Sequence, residues 1–374
     1  MSGIYIHIPF CKKACHYCDF HFSTSSQNKA AIVNALCYEI ELRKDYLEDR
    51  NISTLYFGGG TPSLLSNDEL KNIIGAVTRH FNLDAKAEIT LEANPDDLNS
   101  IKLLELKKAG INRLSIGIQS FFDEDLILMN RGHNSEQAIK SVKEAQNAGF
   151  ENISIDLIYG LPNLSNERWL QNLEKAFKLE VPHLSAYNLT VERKTALADM
   201  VKKQKVSMPP ESVVIEQFNI LTDLAQKNGF IHYEISNFCK EDMYSKHNSS
   251  YWKNAQYMGI GPSAHSYNGA ARRWNIANNS LYLRNSDKNA SWFEEEILTE
   301  EDKYNEYIMT RLRTIWGIDL GVVKKTFGEK RLDHLLRLTQ NYISSGHILH
   351  KEETIILTQK GKLLADKIAS DFFI

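Results

Sequence analysis

Residues 3–20 read GIYIHIPFCKKACHYCDF. The segment 3–9 is rich in isoleucine and tyrosine, has no helical period and reads as a β-strand. Three cysteines follow at once, Cys11, Cys15 and Cys18, with the spacing C-x3-C-x2-C. In a βα repeat, the loop after a strand lies at the end of the fold where chemistry is done. The chain has five cysteines, an odd number crowded toward one end, which makes a poor disulfide framework. Grouped thiols of this kind suit a reducing cytoplasm and metal or redox chemistry.

Three thiolates leave a four-iron cluster one ligand short, because each iron takes its own thiolate. The open iron accepts a small molecule that carries an amine and a carboxylate, and S-adenosylmethionine (SAM) is such a molecule. Two other readings of the triplet stay open. Structural zinc prefers four ligands, and His16 or His21 is near enough in sequence to supply the fourth; inert buried thiols are the other. Cys37 in a helical pattern and Cys239 beside Phe238 lack the spacing and read as small buried residues.

Outward from this stretch, β-rich segments recur at 54–57, 88–92, 113–118, 152–158 and 183–189. Amphipathic stretches at 30–46, 67–80, 101–109, 135–148 and 166–179 separate them. Strand then helix, repeated in this way, predicts βαβ units and a parallel sheet. Six units suit an open barrel better than a closed eight-stranded one; a doubly wound open sheet fits the same rhythm. After residue 191 the pattern changes. Residues 207–228 read as a helix, and 229–270 as an aromatic, Asn-, Ser- and Gly-rich stretch with few regular signals, a functional loop rather than a disordered one. Helices at 300–314 and 332–344, a hairpin at 347–357 and a helix at 359–372 predict a small winged-helix-like α+β module. The boundaries expected are 1–195 for the barrel, 196–290 for an extension that completes the site, and 291–374 for the C-terminal module.

The 374 residues carry a formal net charge of −3, which gives no field of one sign to favour nucleic acid or an anionic membrane. The winged-helix pattern is therefore expected to serve packing, not DNA. No apolar run approaches the roughly 20 residues of a transmembrane helix, and residues 1–10 do not read as a signal peptide.

The opening stretch is similar to that of the radical SAM coproporphyrinogen dehydrogenase family, which contains the HemN oxidases and the HemW heme chaperones. The resemblance continues in order through YFGGGTPS (56–63), ITLEANPD (89–96), LSIGIQSF (114–121), MNRGH (129–133), SIDLIYGLP (154–162) and LSAYNL (184–189). It implies an α/β fold built on an open six-stranded (β/α)6 partial TIM barrel. It also implies a [4Fe-4S] cluster on Cys11, Cys15 and Cys18. SAM contacts are implied at Tyr5, Tyr17, Gly59, Gly60, Thr61, Glu92, Gln119, Arg131 and Asp156, and at the backbone of Ala186. For Tyr5, Tyr17, Arg131 and Asp156, ordinary packing or ion pairing is the alternative.

Two features divide the subfamilies. Where the oxidases carry a further cysteine, this sequence has Phe20, and only ten residues precede Cys11 where the oxidases carry an extension. KHNSSYW (246–252) matches the HNxxYW motif of HemW-like proteins. The resemblance thus implies heme as cargo, with His247, Tyr251 and Trp252 as candidate contacts, since histidine ligates heme iron and aromatic rings stack on a porphyrin; a well-packed polar loop with a satisfied His247 is the alternative. It further implies heme-accepting partners, respiratory enzymes among them, and a reductant such as flavodoxin or ferredoxin. The expected location is the cytoplasm, with peripheral membrane attachment compatible. An oxygen-independent coproporphyrinogen III oxidase is the alternative, and a radical SAM enzyme acting on another substrate is the third.

Overall fold

The computed structural model describes residues 2–286 and 292–374, with the side chains of residues 285 and 286 left out. The expected boundary at 290/291 lies outside the described residues.

Six parallel strands come first: β1 (Ser2–Ile8), β2 (Asn51–Gly59), β3 (Asn82–Ala93), β4 (Arg113–Gln119), β5 (Asn152–Tyr159) and β6 (His183–Asn188). Between them run α1 (Lys29–Leu42), α2 (Asn67–His80), α3 (Ser100–Lys108), α4 (Asp123–Leu128), α5 (Ser135–Asn147) and α6 (Asn166–Lys178). All residues of β4 are buried, as in a parallel strand covered on both faces. Local signals set the helix starts. Ser66 and Glu69 close a capping box on α2, Asn134 and Gln137 another on α5, and Ser165 caps α6.

Strand order decides between the two sheet types. The six strands pair in sequence order, each parallel to the next. A doubly wound sheet reverses its order at a switch point, and none occurs here. Right-handed crossovers in one direction put the helices on one face, the arrangement of an opened barrel.

The sheet is wider than the sequence pattern suggests. Beyond β6 come α7 (Ala196–Lys202), α8 (Glu211–Lys227), β7 (Ile231–Glu234) and β8 (Asn237–Cys239), with β8 antiparallel to β6. Next are α9 (Lys246–Trp252), β9 (Tyr257–Ile260), β10 (His265–Tyr267), β11 (Ala271–Asn275), α10 (Asn279–Ser286) and β12 (Phe293–Ile297). β9 returns to the other edge and pairs in parallel with β1. The result is a 12-stranded sheet with β12 and β7 at its two edges, so it stays open. The stretch 229–270, read as irregular, is therefore regular: its strands are too short for a period of two to register. KHNSSYW forms a helix, not a loop.

One apolar core runs from Ile4 to Trp292 and includes Phe218, Phe238, Met258 and Tyr282, so the extension shares the barrel's core. A second core, Tyr304 to Phe372, belongs to the C-terminal module. The module holds α11 (Glu300–Leu312), β13 (Ile318–Asp319), α12 (Leu320–Phe327), α13 (Glu329–Ser344), β14 (Ile348–Lys351), β15 (Thr354–Leu357), α14 (Gln359–Lys362) and α15 (Ala365–Asp371). The sequence pattern missed α12 and β13.

Candidate functional site

The cysteine loop leaves β1 and folds over the C-terminal ends of the parallel strands. Gly60 donates its N–H to the Ile8 carbonyl at 2.9 Å, and a Cβ there would stand 2.7 Å from the Phe10 carbonyl oxygen. Only glycine lets the second βα loop pass this close to the first. Gly59, at φ +104°, adopts the left-handed backbone for the same turn.

A cavity of about 420 Å³ opens at this end. Its lining includes Cys11, Cys15, Cys18, Tyr17, Gly59, Gly60, Thr61, Glu92, Gln119, Arg131 and Asp156. These residues were drawn from five different βα units. Two others of the expected set are elsewhere. Ala186 is buried in β6 with its N–H on the Ser236 carbonyl. Tyr5 stacks on Tyr56, rings 6.0 Å apart, and lines a second cavity.

Donors converge on the sulfurs. Thr61 donates its hydroxyl to Cys11 Sγ at 3.4 Å, and Arg131 Nη1 donates to Cys15 Sγ at 3.3 Å. Arg131 also reaches Asn94 Oδ1 (2.6 Å) and the Gly117 carbonyl (2.7 Å). Asn94 in turn donates to Thr61 Oγ1. Sequence reasoning passed over Asn94, although it lies in the quoted LEANPD; it ties the donors on two cysteines together.

Two carboxylates lie deeper. Glu92 accepts from the Tyr56 hydroxyl at 2.8 Å and the Gly59 N–H at 3.2 Å. Burial, partly offset by Tyr56, pushes its carboxyl up to about 7. Asp156 accepts from Ser115 and Ser185, and burial raises it to about 6.

The Glu92 shift has a testable consequence. Between its ordinary 4.5 and about 7 the folded protein holds a proton there that the unfolded chain has released. Stability therefore falls as pH rises through that window. Glu92→Gln removes the cost, which reaches about 3 kcal/mol. We expect the ligand-free variant to be more stable than wild type at pH 8 in urea melts, with the gain gone at pH 4.5. Parallel pH–stability curves would show that Glu92 is not raised.

The second cavity, about 430 Å³, lies between β1, the extension and the C-terminal module. Its walls carry Tyr5, His7, Phe20, Tyr251, Trp252, Tyr257, Tyr267, His265, Arg272 and Thr310. Phe20 lines both cavities and is 68% exposed. Tyr251 and Trp252 reach it from α9, whose start is pinned to β3: the N–H groups of Lys246 and His247 donate to the buried Glu88 carboxylate at 3.1 and 3.0 Å. His247 lies underneath and lines neither cavity. Its Nδ1 meets Thr54 Oγ1 at 2.8 Å and its Nε2 meets the Tyr251 hydroxyl at 2.7 Å.

Residues 5–176 match the radical SAM superfamily. Heme chaperone HemW of Bacillus subtilis (strain 168) is 36% identical over 379 residues, spanning 100% of this chain and 99% of that protein. The chain belongs to the HemW family of radical SAM proteins. Heme chaperone HemW of Mycobacterium tuberculosis (strain ATCC 25618 / H37Rv) is 32% identical over 98% of this chain and 93% of its own. Among solved structures, the coproporphyrinogen III oxidase HemN from Escherichia coli superposes with a TM-score of 0.86 at 25% identity, covering 100% of this chain and 90% of that one.

Membership implies a [4Fe-4S] cluster and SAM, and the residues fit both. Among the described residues no three metal-type ligands converge as a single ion requires. Thr61 and Arg131 place hydrogen-bond donors on two of the triplet's sulfurs. His16 and His21, the candidates for a fourth zinc ligand, are bonded to the Leu128 carbonyl and to Asn279. Cys11, Cys15 and Cys18 would hold the cluster, which when bound supplies one electron to cleave a carbon–sulfur bond of SAM. The chain's own contribution is to hold Arg131, Thr61 and two protonatable carboxylates around that space. No helix among the described residues is long and apolar enough to cross a membrane.

Proposed function

We propose that this chain is a heme chaperone that binds heme in the aromatic cavity, beside a SAM-loaded four-iron cluster, and passes it to heme-requiring proteins. One observation carries the reading: an aromatic cavity adjoins the cysteine cavity, and Phe20 forms a wall of both. Tyr251 and Trp252 supply flat apolar faces for a macrocycle. The HemW relatives, alike over their full length, support the same reading.

SAM is held in the cysteine cavity by Gly59, Gly60, Thr61, Glu92, Gln119, Arg131 and Asp156, with Tyr17 beside its adenine. The resemblance also assigns SAM contacts to Tyr5 and to the backbone of Ala186; Tyr5 stacks on Tyr56, which donates to Glu92. A flavodoxin or ferredoxin supplies electrons. Recipients are heme proteins, including respiratory ones, and the chaperone works in the cytoplasm or at a membrane surface.

Hemin titrated into the reconstituted protein should give a shifted Soret band. Tyr251→Ala and Trp252→Ala should each weaken binding by about 1 kcal/mol, the worth of an aromatic contact beyond its area. Anaerobic incubation with coproporphyrinogen III, SAM and reductant should yield no product. Rapid decarboxylation in that assay would replace the chaperone by the oxidase; a spectrum unmoved by hemin would remove heme from the account.

A further inference from the structure

The histidine that the HNxxYW motif brings forward is poorly placed to bind iron. Both ring nitrogens of His247 are bonded inside the protein, to Thr54 and to Tyr251. His7, on the cavity wall, is committed too: Nε2 to the His21 carbonyl at 2.9 Å and Nδ1 to the Tyr5 hydroxyl at 3.3 Å. His265 is the third histidine here. It lines the cavity, is exposed, and has no hydrogen bond to either ring nitrogen among the described residues.

We infer that His265 is the protein's axial ligand to the iron of a heme bound in the aromatic cavity, an inference that rests on the heme-binding reading above.

Three features support the assignment. The first is a rigid platform. A Cβ at Gly259 would stand 2.0 Å from the His265 carbonyl oxygen, so glycine alone lets β10 lie this close to β9. Ser266 faces the opposite way, as alternation along a strand requires, and is buried against Arg43 Nη2 and the Gly259 N–H, both at 2.9 Å. The second is ring orientation: Trp274, paired with His265 across β10 and β11, stacks on the imidazole at 6.2 Å and 26°. The third is protonation. The ring's inner side is partly desolvated where it packs on the protein, and this, with the Arg272 guanidinium second, holds His265 below its ordinary value although the residue is exposed overall. At neutral pH it is therefore the uncharged imidazole that binds metals. Phe20, Tyr251 and Trp252 provide surfaces for the macrocycle, and Arg272, the cation of the lining, is already paired with Glu306 and stacked on Tyr267.

The experiment uses the full-length, cluster-reconstituted protein with two probes, hemin and iron-free protoporphyrin IX. Wild type should bind both. His265→Ala and His265→Gln should bind protoporphyrin as wild type does, since stacking needs no iron. Each should bind hemin about tenfold more weakly, 1.4 kcal/mol, with loss of the histidine-ligated Soret and visible bands. Added imidazole should restore those bands in His265→Ala. His247→Phe should keep them. Loss of protoporphyrin binding in both His265 variants would mean a packing role and overturn the assignment. So would a wild-type hemin spectrum in either of them. Failure of wild type itself to bind hemin would overturn the heme-binding reading, and this inference with it.

Discussion

Replacing Cys11, Cys15 and Cys18 together by alanine should take anaerobically reconstituted protein from about four irons per chain, the content of one four-iron cluster, to almost none. The three thiols line one cavity and are half-buried. Their two hydrogen-bond donors, Thr61 and Arg131, are themselves held by Asn94. The control is Cys37→Ala with Cys239→Ala. Cys239 is buried in β8 and Cys37 half-buried in α1, so the double variant should keep the full iron content. Iron and sulfide analysis with the visible spectrum reads both arms. Four irons retained by the triple variant would displace the cluster from this loop.

Much of this end of the molecule was legible in the sequence. A buried parallel strand is a run of β-formers, and a βα turn that passes close to a neighbour must carry glycine. GIYIHIP, YFGGGTP and LSIGIQS therefore announce themselves, and the six parallel strands lie where the pattern puts them. What periodicity could not give was the order of the strands. That information is in long-range pairing, such as β9 beside β1, with some 250 residues of chain between them.

The far side of the site was less legible. β7 to β10 are three or four residues each, too short to show alternation amid asparagine and glycine. The motif HNSSYW drew attention to His247 as a residue type, but type says nothing of hydrogen-bond commitments. Those follow from Thr54 on β2, which only the fold brings near. His265 sits in GIGPSAHSY with no signal of its own beyond the two glycines; its free nitrogens become visible only once β10 is placed. Ala186 is the converse case, a residue the resemblance selects and the cavity lining omits.

A buried ion pair that sequence reasoning passed over leads to the second large effect. Glu39 and Arg43 are four residues apart on and just after α1, and their side chains are 1% and 4% exposed. On a helix surface such a pair is worth a few tenths of a kcal/mol. Here each partner holds the extension. Arg43 donates to Glu39 at 3.0 Å, to the Gly259 carbonyl at 2.6 Å and to Ser266 Oγ at 2.9 Å. Glu39 accepts from the Gly261 N–H at 2.8 Å, Asn275 at 2.8 Å and the Tyr282 hydroxyl at 2.7 Å. The pair thus joins α1 to α10 and to β9, β10 and β11, which carry Tyr257, His265, Tyr267 and Arg272 of the aromatic cavity's wall. Removing one partner leaves the other charge buried and unpaired, at a cost of about 3–5 kcal/mol. Arg43→Ala should therefore lower the urea midpoint sharply. It should also weaken hemin binding, because the wall that carries His265 loses its anchor at Ser266. Cluster content should change much less, since the side-chain hydrogen bonds that Glu39 and Arg43 make outside the pair go, among the described residues, to the extension and not to the cysteines. The double variant Glu39→Leu with Arg43→Met, which leaves no lone charge, should recover part of the lost stability but not all of it, because Gly261, Asn275 and Tyr282 still lose their acceptor. An Arg43→Ala protein with wild-type stability would show that the pair does not anchor the extension.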